Sequence, residues 1–313
     1  MPHNQRLMRH FVSISDTSPE DLQHTLDVAL RLKKQFKSTG RNDPILANKT
    51  LAMIFEKPSL RTRVSFAVGM THLGGNGLLL REEEVGLGKR EAVQDVARVL
   101  SGMCDGIMAR TFEHDKVVNL AKWATVPVIN ALTDYSHPCQ AMADLMTLHE
   151  HFGKLAGLTL AYIGDGNNMA HSLACCCGSF GMKFIIASPP GYALSQENVR
   201  QIMSHWPTLD LVETNDPKEA VKQADCIYTD TWVSMGQEKE KERRINEFKG
   251  YCVDAALLAA APKRAVVMHC LPAYRGLEIS DEVMEGKQSL IFPQAENRLH
   301  YQKGLMAVLM GNQ

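Results

Sequence analysis

Ser59-Leu60-Arg61-Thr62-Arg63 gathers two guanidiniums and two hydroxyls into five residues that follow directly on Pro58. These are phosphate-directed groups: guanidinium binds oxyanions through paired N–H donors, and hydroxyls add further donors. Ser59 stands at the N-cap position of a helix, which turns the backbone N–H groups of Leu60, Arg61 and Thr62 outward at the positive end of the helix dipole. A capping serine and first-turn arginines also occur on solvated helices, so the stretch alone leaves both readings open. Further along stand Arg110, His137 and Gln140, then Asn168, Asp230, Ser234 and Cys270. The first group donates to a small dianion and an adjacent carbonyl. The second suits a molecule with an ammonium and a carboxylate.

Those residues need elements to hold them. Leu51 to Phe55 reads as a buried strand, and Leu60, Val64, Ala67 and Val68 recur at helical spacing after the break at Pro58. Ser18-Pro19-Glu20-Asp21 opens an earlier surface helix. Gly77 to Leu80 is a second strand, Arg81 to Arg90 a charged glycine-containing loop, and Ala92 to Leu100 a helix. Gly106 to Ala109 is a strand with Arg110 at its carboxyl end, where open α/β sheets collect ligand groups. Val126 to Asn130 is another, followed by a helix from Pro138 to Glu150 that sets His137 and Gln140 one turn apart on one face.

After the link Phe152 to Gly157 the pattern restarts: strand Leu158 to Ile163, glycine turn Gly164 to Asn168, helix to Phe180, strand Lys183 to Ala187. A strand ends near Asp230, the charged run Gln237 to Arg244 reads as a mobile loop, strand Ala265 to Met268 ends in His269-Cys270-Leu271-Pro272, and Ala295 opens a terminal helix. The alternation predicts an α/β fold of two doubly wound domains, each a mainly parallel sheet flanked by helices, with the active site in the cleft between them.

Composition narrows the chemistry. The chain has 313 residues, enough for two domains, and a formal net charge of -1, which gives no general attraction to nucleic acid or an anionic membrane. Eight cysteines, three of them consecutive, form no Cys-x-x-Cys pair, which argues for a reducing, cytoplasmic setting and against structural zinc. Met1 to His10 lacks the apolar core of a secretory leader, and no apolar run approaches the ~20 residues of a membrane span. Gly164-Asp165-Gly166 lacks the third glycine of a dinucleotide turn, and the following strand ends in Ser188-Pro189-Pro190 rather than an acid. No Gly-Lys-Ser/Thr phosphate loop occurs, so nucleotide-dependent chemistry has no support.

Ser59 to Arg63, together with His137-Pro138-Cys139-Gln140, resembles the signatures of the aspartate and ornithine carbamoyltransferase family, and the resemblance runs nearly end to end. Asp230 through Ser234-Met235-Gly236 and His269-Cys270-Leu271-Pro272 resemble its ornithine branch. The resemblance implies carbamoyl phosphate held by Ser59, Leu60, Arg61, Thr62, Arg110, His137, Gln140 and Arg298. It implies ornithine held by Asn168, Asp230, Ser234, Met235, Cys270 and Leu271, with Arg110, His137, Cys270 and Asp230 the catalytic candidates. It further implies a carbamoyl-phosphate domain over 1–151, with a helix at 295–313 packing back on it, and an ornithine domain over 152–294. The activity implied is carbamoyl transfer to the δ-amine of ornithine, giving citrulline and phosphate for arginine biosynthesis. Alternatives are a related amine such as putrescine or an N-modified ornithine, or a binding protein without catalysis. A homotrimer or larger assembly of trimers and no metal or organic cofactor are also implied. Three positions depart from the family pattern: Leu60 for threonine, Ala67 for glutamate, and Gly86 for the glutamine of a mobile loop, with Lys89 or Arg90 the replacements for that glutamine.

Overall fold

The computed structural model describes residues 8–233 and 238–311. Ser234, Met235, Gly236 and Gln237 lie outside the described residues, so two of the ornithine-site expectations, Ser234 and Met235, have no structural counterpart here. In chain order the elements begin α1 (Pro19–Thr39), β1 (Thr50–Phe55), α2 (Leu60–His72), β2 (Asn76–Arg81) and α3 (Glu82–Val85). They continue α4 (Val93–Ser101), β3 (Gly106–Arg110), α5 (His114–Trp123), β4 (Val128–Leu132) and α6 (Pro138–Phe152). Next come β5 (Thr159–Ile163), α7 (Asn168–Ser179), β6 (Lys183–Ala187), α8 (Gln196–His205), β7 (Leu211–Thr214), α9 (Pro217–Val221) and β8 (Cys226–Thr229). The chain closes with a 3-10 turn (Glu238–Glu240), α10 (Lys241–Glu247), α11 (Ala255–Ala259), β9 (Val266–His269), α12 (Asp281–Met284) and α13 (Ile291–Met310). No helix among the described residues is long and apolar enough to cross a membrane.

Backbone contacts divide the chain into two compact units. One takes the chain up to Met146 together with the segment from Asn297 onward; the other is Thr147–Glu296. In the first unit the sheet order is β2-β1-β3-β4 and every pairing is parallel. β1 and β3 are buried along nearly their whole length, as strands covered on both faces must be, whereas β2 at the edge is half exposed. Val12, Ile54, Ile107, Ala109, Val117 and Leu120 are among the residues of one core on this sheet. α13 adds Lys303, fully buried, whose Nζ donates to Asn42 Oδ1 at 2.6 Å and lies 4.5 Å above the Phe36 ring. Gly304 lets α13 approach α1: a Cβ there would stand 2.6 Å from Ala29 Cβ and 2.7 Å from its Cα.

The second unit's sheet runs β7-β6-β5-β8-β9, again all parallel. Ala161, Ile163, Ile227, Trp232, Phe248 and Val267 belong to its core. In both sheets the chain starts in the interior, lays strands to one side and then crosses to the other. The reversal opens a crevice at the carboxyl ends of β1 and β3 in the first sheet and of β5 and β8 in the second. Every strand followed by a candidate residue ends at one of these crevices or beside it.

Two expected loops are partly helical. Within Arg81 to Arg90, Glu82 to Val85 forms α3, closed by Gly86 in the left-handed region at φ 62°. Within the charged run, the described residues Glu238 to Arg244 form the 3-10 turn and most of α10. Arg244 explains the second case: its guanidinium is buried, donating from Nη1 to Asp165 Oδ2 at 2.7 Å and to the Trp232 carbonyl at 3.0 Å. A charge run reads as solvent-facing only while its partners are unknown.

Candidate active site

In the first unit Ser59 caps α2, its Oγ accepting the Thr62 N–H at 3.3 Å. This corrects one expectation, since the Thr62 N–H faces its own cap rather than outward. The hydroxyl of Thr62, fully buried, instead becomes a meeting point: it accepts from Arg110 Nη1 at 3.4 Å and from Arg298 Nη2 at 3.2 Å. Arg298 Nη1 also donates to Gln140 Oε1 at 2.5 Å, and Gln140 Nε2 donates to Asp144 Oδ1 at 2.8 Å. Four elements are thereby joined: α2, β3, α6 and α13. Arg110 stands at the register shift between Ala109 and Arg110, where β3 stops pairing evenly with β4.

His137, buried before the first turn of α6, has its proton affinity pushed well below the usual imidazole range. Burial is the main cause, and the guanidiniums of Arg298, Arg110 and Arg61 add to it. The ring is therefore neutral, with one N–H to donate. Cys139, by contrast, is inert: burial lifts its thiol to about 12, and its Sγ donates to the Asn130 carbonyl at 3.3 Å.

The loop carrying Ser59 is fixed by Glu56, which sequence reading passed over. Glu56 Oε1 meets Lys116 Nζ at 2.7 Å, Glu56 Oε2 accepts the Phe112 N–H at 2.9 Å, and the Glu56 N–H donates to the Arg110 carbonyl at 2.9 Å. Lys57 lies with its ammonium 3.9 Å over the Phe112 ring. A cavity of about 400 Å³ opens beside this loop, lined by Lys57, Ser59, Leu60, Arg63 and Arg81 among others, but by none of Arg110, His137, Gln140 or Arg298. Arg63 is exposed and belongs to that cavity. Leu60 is 74% exposed, so its contribution to any ligand comes from the backbone.

The departures have local explanations. Gly86 needs its positive φ, and a Cβ there would stand 2.7 Å from Arg90 Cβ. Lys89 and Arg90, the proposed replacements for a glutamine, are both engaged inside the loop, Lys89 Nζ with Glu82 Oε1 and Arg90 Nη2 with the Glu84 carbonyl. Ala67 alone has no structural explanation: it is a half-buried helix residue whose carbonyl accepts the Thr71 hydroxyl at 3.1 Å.

In the second unit Asp230 follows β8 at the crevice. Its Oδ1 accepts the Thr231 N–H at 2.8 Å and the Cys270 thiol at 3.0 Å, and its Oδ2 accepts from Asn167 Nδ2 at 3.0 Å. Asn168, expected at this site, begins α7 half exposed, one residue after that contact. Asn167, whose side chain makes that contact, is a residue that sequence reading passed over. Leu271 sits in the left-handed region at φ 57°, a conformation rare for a non-glycine residue and concentrated at ligand sites. Gly166, just before Asn167, serves packing: a Cβ there would stand 2.4 Å from the Ala193 carbonyl carbon.

Asp230, His269 and Cys270 bring three potential metal-ligand atoms within 4.8 Å of one another. His269, however, has both ring nitrogens committed. Nδ1 accepts the Leu271 N–H at 2.8 Å, so the proton is on Nε2, which donates to buried Glu278 Oε1 at 3.1 Å. The remaining carboxylate and thiol suit an ammonium better than a cation needing three ligands.

Comparison with known proteins places these clusters in context. The family description "Aspartate/ornithine carbamoyltransferase, carbamoyl-P binding domain" matches residues 9–150, and "Aspartate/ornithine carbamoyltransferase, Asp/Orn binding domain" matches residues 156–309. The chain is 49% identical over 304 residues to the ornithine carbamoyltransferase of Anoxybacillus flavithermus, covering 96% of each chain. It is 48% identical over 306 residues to that of Archaeoglobus fulgidus, covering 98% of this chain and 99% of that one. Among solved structures it resembles ornithine carbamoyltransferase from Pyrococcus furiosus with a TM-score of 0.93 and 44% identity, over 97% of this chain and 98% of that one.

Proposed function

The chain belongs to the aspartate/ornithine carbamoyltransferase family, and from that membership we propose that it transfers the carbamoyl group of carbamoyl phosphate to the δ-amine of L-ornithine, giving L-citrulline and phosphate. The observation that carries the reading is the convergence of Arg110 and Arg298 on the Thr62 hydroxyl beside neutral His137 and Gln140. The Arg298 guanidinium and a capped helix start suit a dianionic phosphate; the Arg110 guanidinium and a neutral imidazole N–H suit the carbonyl next to it.

The chemistry follows from charge development. The δ-amine arrives as an ammonium, with a proton affinity near that of lysine, about 10.4, and must shed one proton before it attacks. Its lone pair forms the new C–N bond, the carbamoyl oxygen takes up negative charge, and the bond from carbon to the phosphate oxygen breaks. The nitrogen then loses a second proton, for which the departing phosphate is an acceptor. Arg110, His137 and Thr62 are assigned to the carbamoyl oxygen. Arg61, Arg298, Gln140, Ser59 and the Leu60 N–H are assigned to the phosphate. Asp230 and Cys270 receive the amine, with Asn168, Ser234, Met235 and Leu271 holding the amino-acid portion.

Family membership also supports the two domain assignments given above, a homotrimer, and action in the cytoplasm. The test is citrulline formation by the purified protein from carbamoyl phosphate and ornithine, with putrescine and an N-modified ornithine assayed in parallel. Absence of citrulline, or a preference for another amine, rejects the assignment.

A further inference from the structure

Asn167 is the N-cap of α7, and capping alone explains only half of its side chain. Its Oδ1 accepts the Met169 N–H at 2.9 Å, the Ala170 N–H at 3.1 Å and the Tyr162 hydroxyl at 3.2 Å. Burial, with Asp230, Cys270 and Asp165 nearby, holds the Tyr162 phenol far above its ordinary proton affinity, so it stays protonated and donates. Three donors therefore face Oδ1, and turning the amide over would set its NH2 against all three. The orientation is forced. Nδ2 must then point at Asp230, and does, at 3.0 Å.

A cap has no use for that NH2: serine, threonine or aspartate serve as well at the position. The amide does something the cap does not require. It fixes one oxygen of Asp230 with a neutral donor while the Thr231 N–H and the Cys270 thiol fix the other. A neutral donor leaves the carboxylate's negative charge uncompensated, where a lysine or arginine would have neutralised it. An ionised carboxylate has about four acceptor directions, so it retains capacity for an incoming N–H.

We infer that Asn167 is a positioning residue for the acceptor amine, acting through Asp230 by holding that carboxylate in one orientation with its charge intact. This rests on the assignment of Asp230 to ornithine, and its test separates the two. Asn167→Ser and Asn167→Asp are compared with Asp230→Asn in steady-state kinetics for both substrates, alongside thermal unfolding. Both Asn167 variants keep a capping oxygen. Serine is too short to reach Asp230, and aspartate sets a like charge against it.

The expected result is a fall in kcat/KM for ornithine of roughly ten- to hundred-fold for Asn167→Ser, the worth of a hydrogen bond to a charged group. A larger fall is expected for Asn167→Asp, with KM for carbamoyl phosphate and the unfolding midpoint near wild type in both. If Asp230→Asn abolishes ornithine use while either Asn167 variant stays within about twofold of wild type, the inference is wrong and the Asp230 assignment stands. If Asp230→Asn leaves ornithine kinetics unchanged, the assignment itself fails and the inference with it. Equal losses for both substrates, together with a lowered unfolding midpoint, reduce Asn167 to a structural cap and overturn the inference. Should the serine variant not fold, the aspartate variant decides: wild-type behaviour means capping only.

Discussion

At the residue scale, the proposed reaction divides the work of polarising one oxygen between the permanent charge of Arg110 and the neutral ring of His137. Arg110→Ala removes a preorganised donor, and turnover should fall by about 10²-fold or more; a kcat near wild type in the citrulline assay rejects that role. His137 makes a separate prediction about pH. Its folded proton affinity lies well below the ordinary value of 6.5, through burial first and then Arg298, Arg110 and Arg61. The unfolded chain therefore binds more protons than the folded one as the pH drops below that value. The stability it confers is whole above pH 6.5 and drains away as the pH falls toward the folded affinity. His137→Asn, which cannot titrate, should lose less stability than wild type between about pH 7 and pH 5, read from urea midpoints at the two pH values. The types of these residues at strand ends make them legible in sequence. Asn167 is not legible, because its orientation is decided jointly by Tyr162, on the preceding strand, and by Asp230, 63 residues further along the chain.

At the element scale, the strands other than β7 stand out as short apolar runs, within about two residues of where they lie, whereas β7, Leu211–Thr214 at a sheet edge, has no such run. Tertiary partners decide the remainder. The buried Arg244 turns a charged run into α10, and Gly86 closes α3 inside what reads as a loop. Gly86→Gln restores the residue the family pattern has there, yet the left-handed backbone and the 2.7 Å approach to Arg90 Cβ oppose it. The expected outcome is no gain in affinity for carbamoyl phosphate and a loop more easily cut by protease; a lowered KM contradicts this. Gly304 sets two magnitudes against each other. Alanine in a helix interior gains roughly 0.5–1 kcal/mol over glycine, whereas forcing a methyl into a packed contact costs about 1–3 kcal/mol. Backbone atoms of Ala29 lie 2.7 Å from the added carbon and cannot rotate aside. Overpacking should win, so Gly304→Ala is expected to lower the urea midpoint.

At the scale of the whole molecule, the proposed homotrimer predicts a particle of about three chain masses by light scattering, and a monomer at working concentration counts against it. Repetition of strand and helix on either side of Gly157 makes a pair of α/β sheets legible, while assembly leaves no trace in periodicity. One feature has consequences for biosynthesis. The first unit is discontinuous: its sheet is complete by Leu132, but Arg298 and the packed surface of α13 are reached only after all of Thr147–Glu296. A ribosome adding roughly 5–20 residues per second therefore delivers the continuous second unit entire while the first still lacks its closing helix. Arg298 can thus join Thr62 and Gln140 only once the whole second unit has been made.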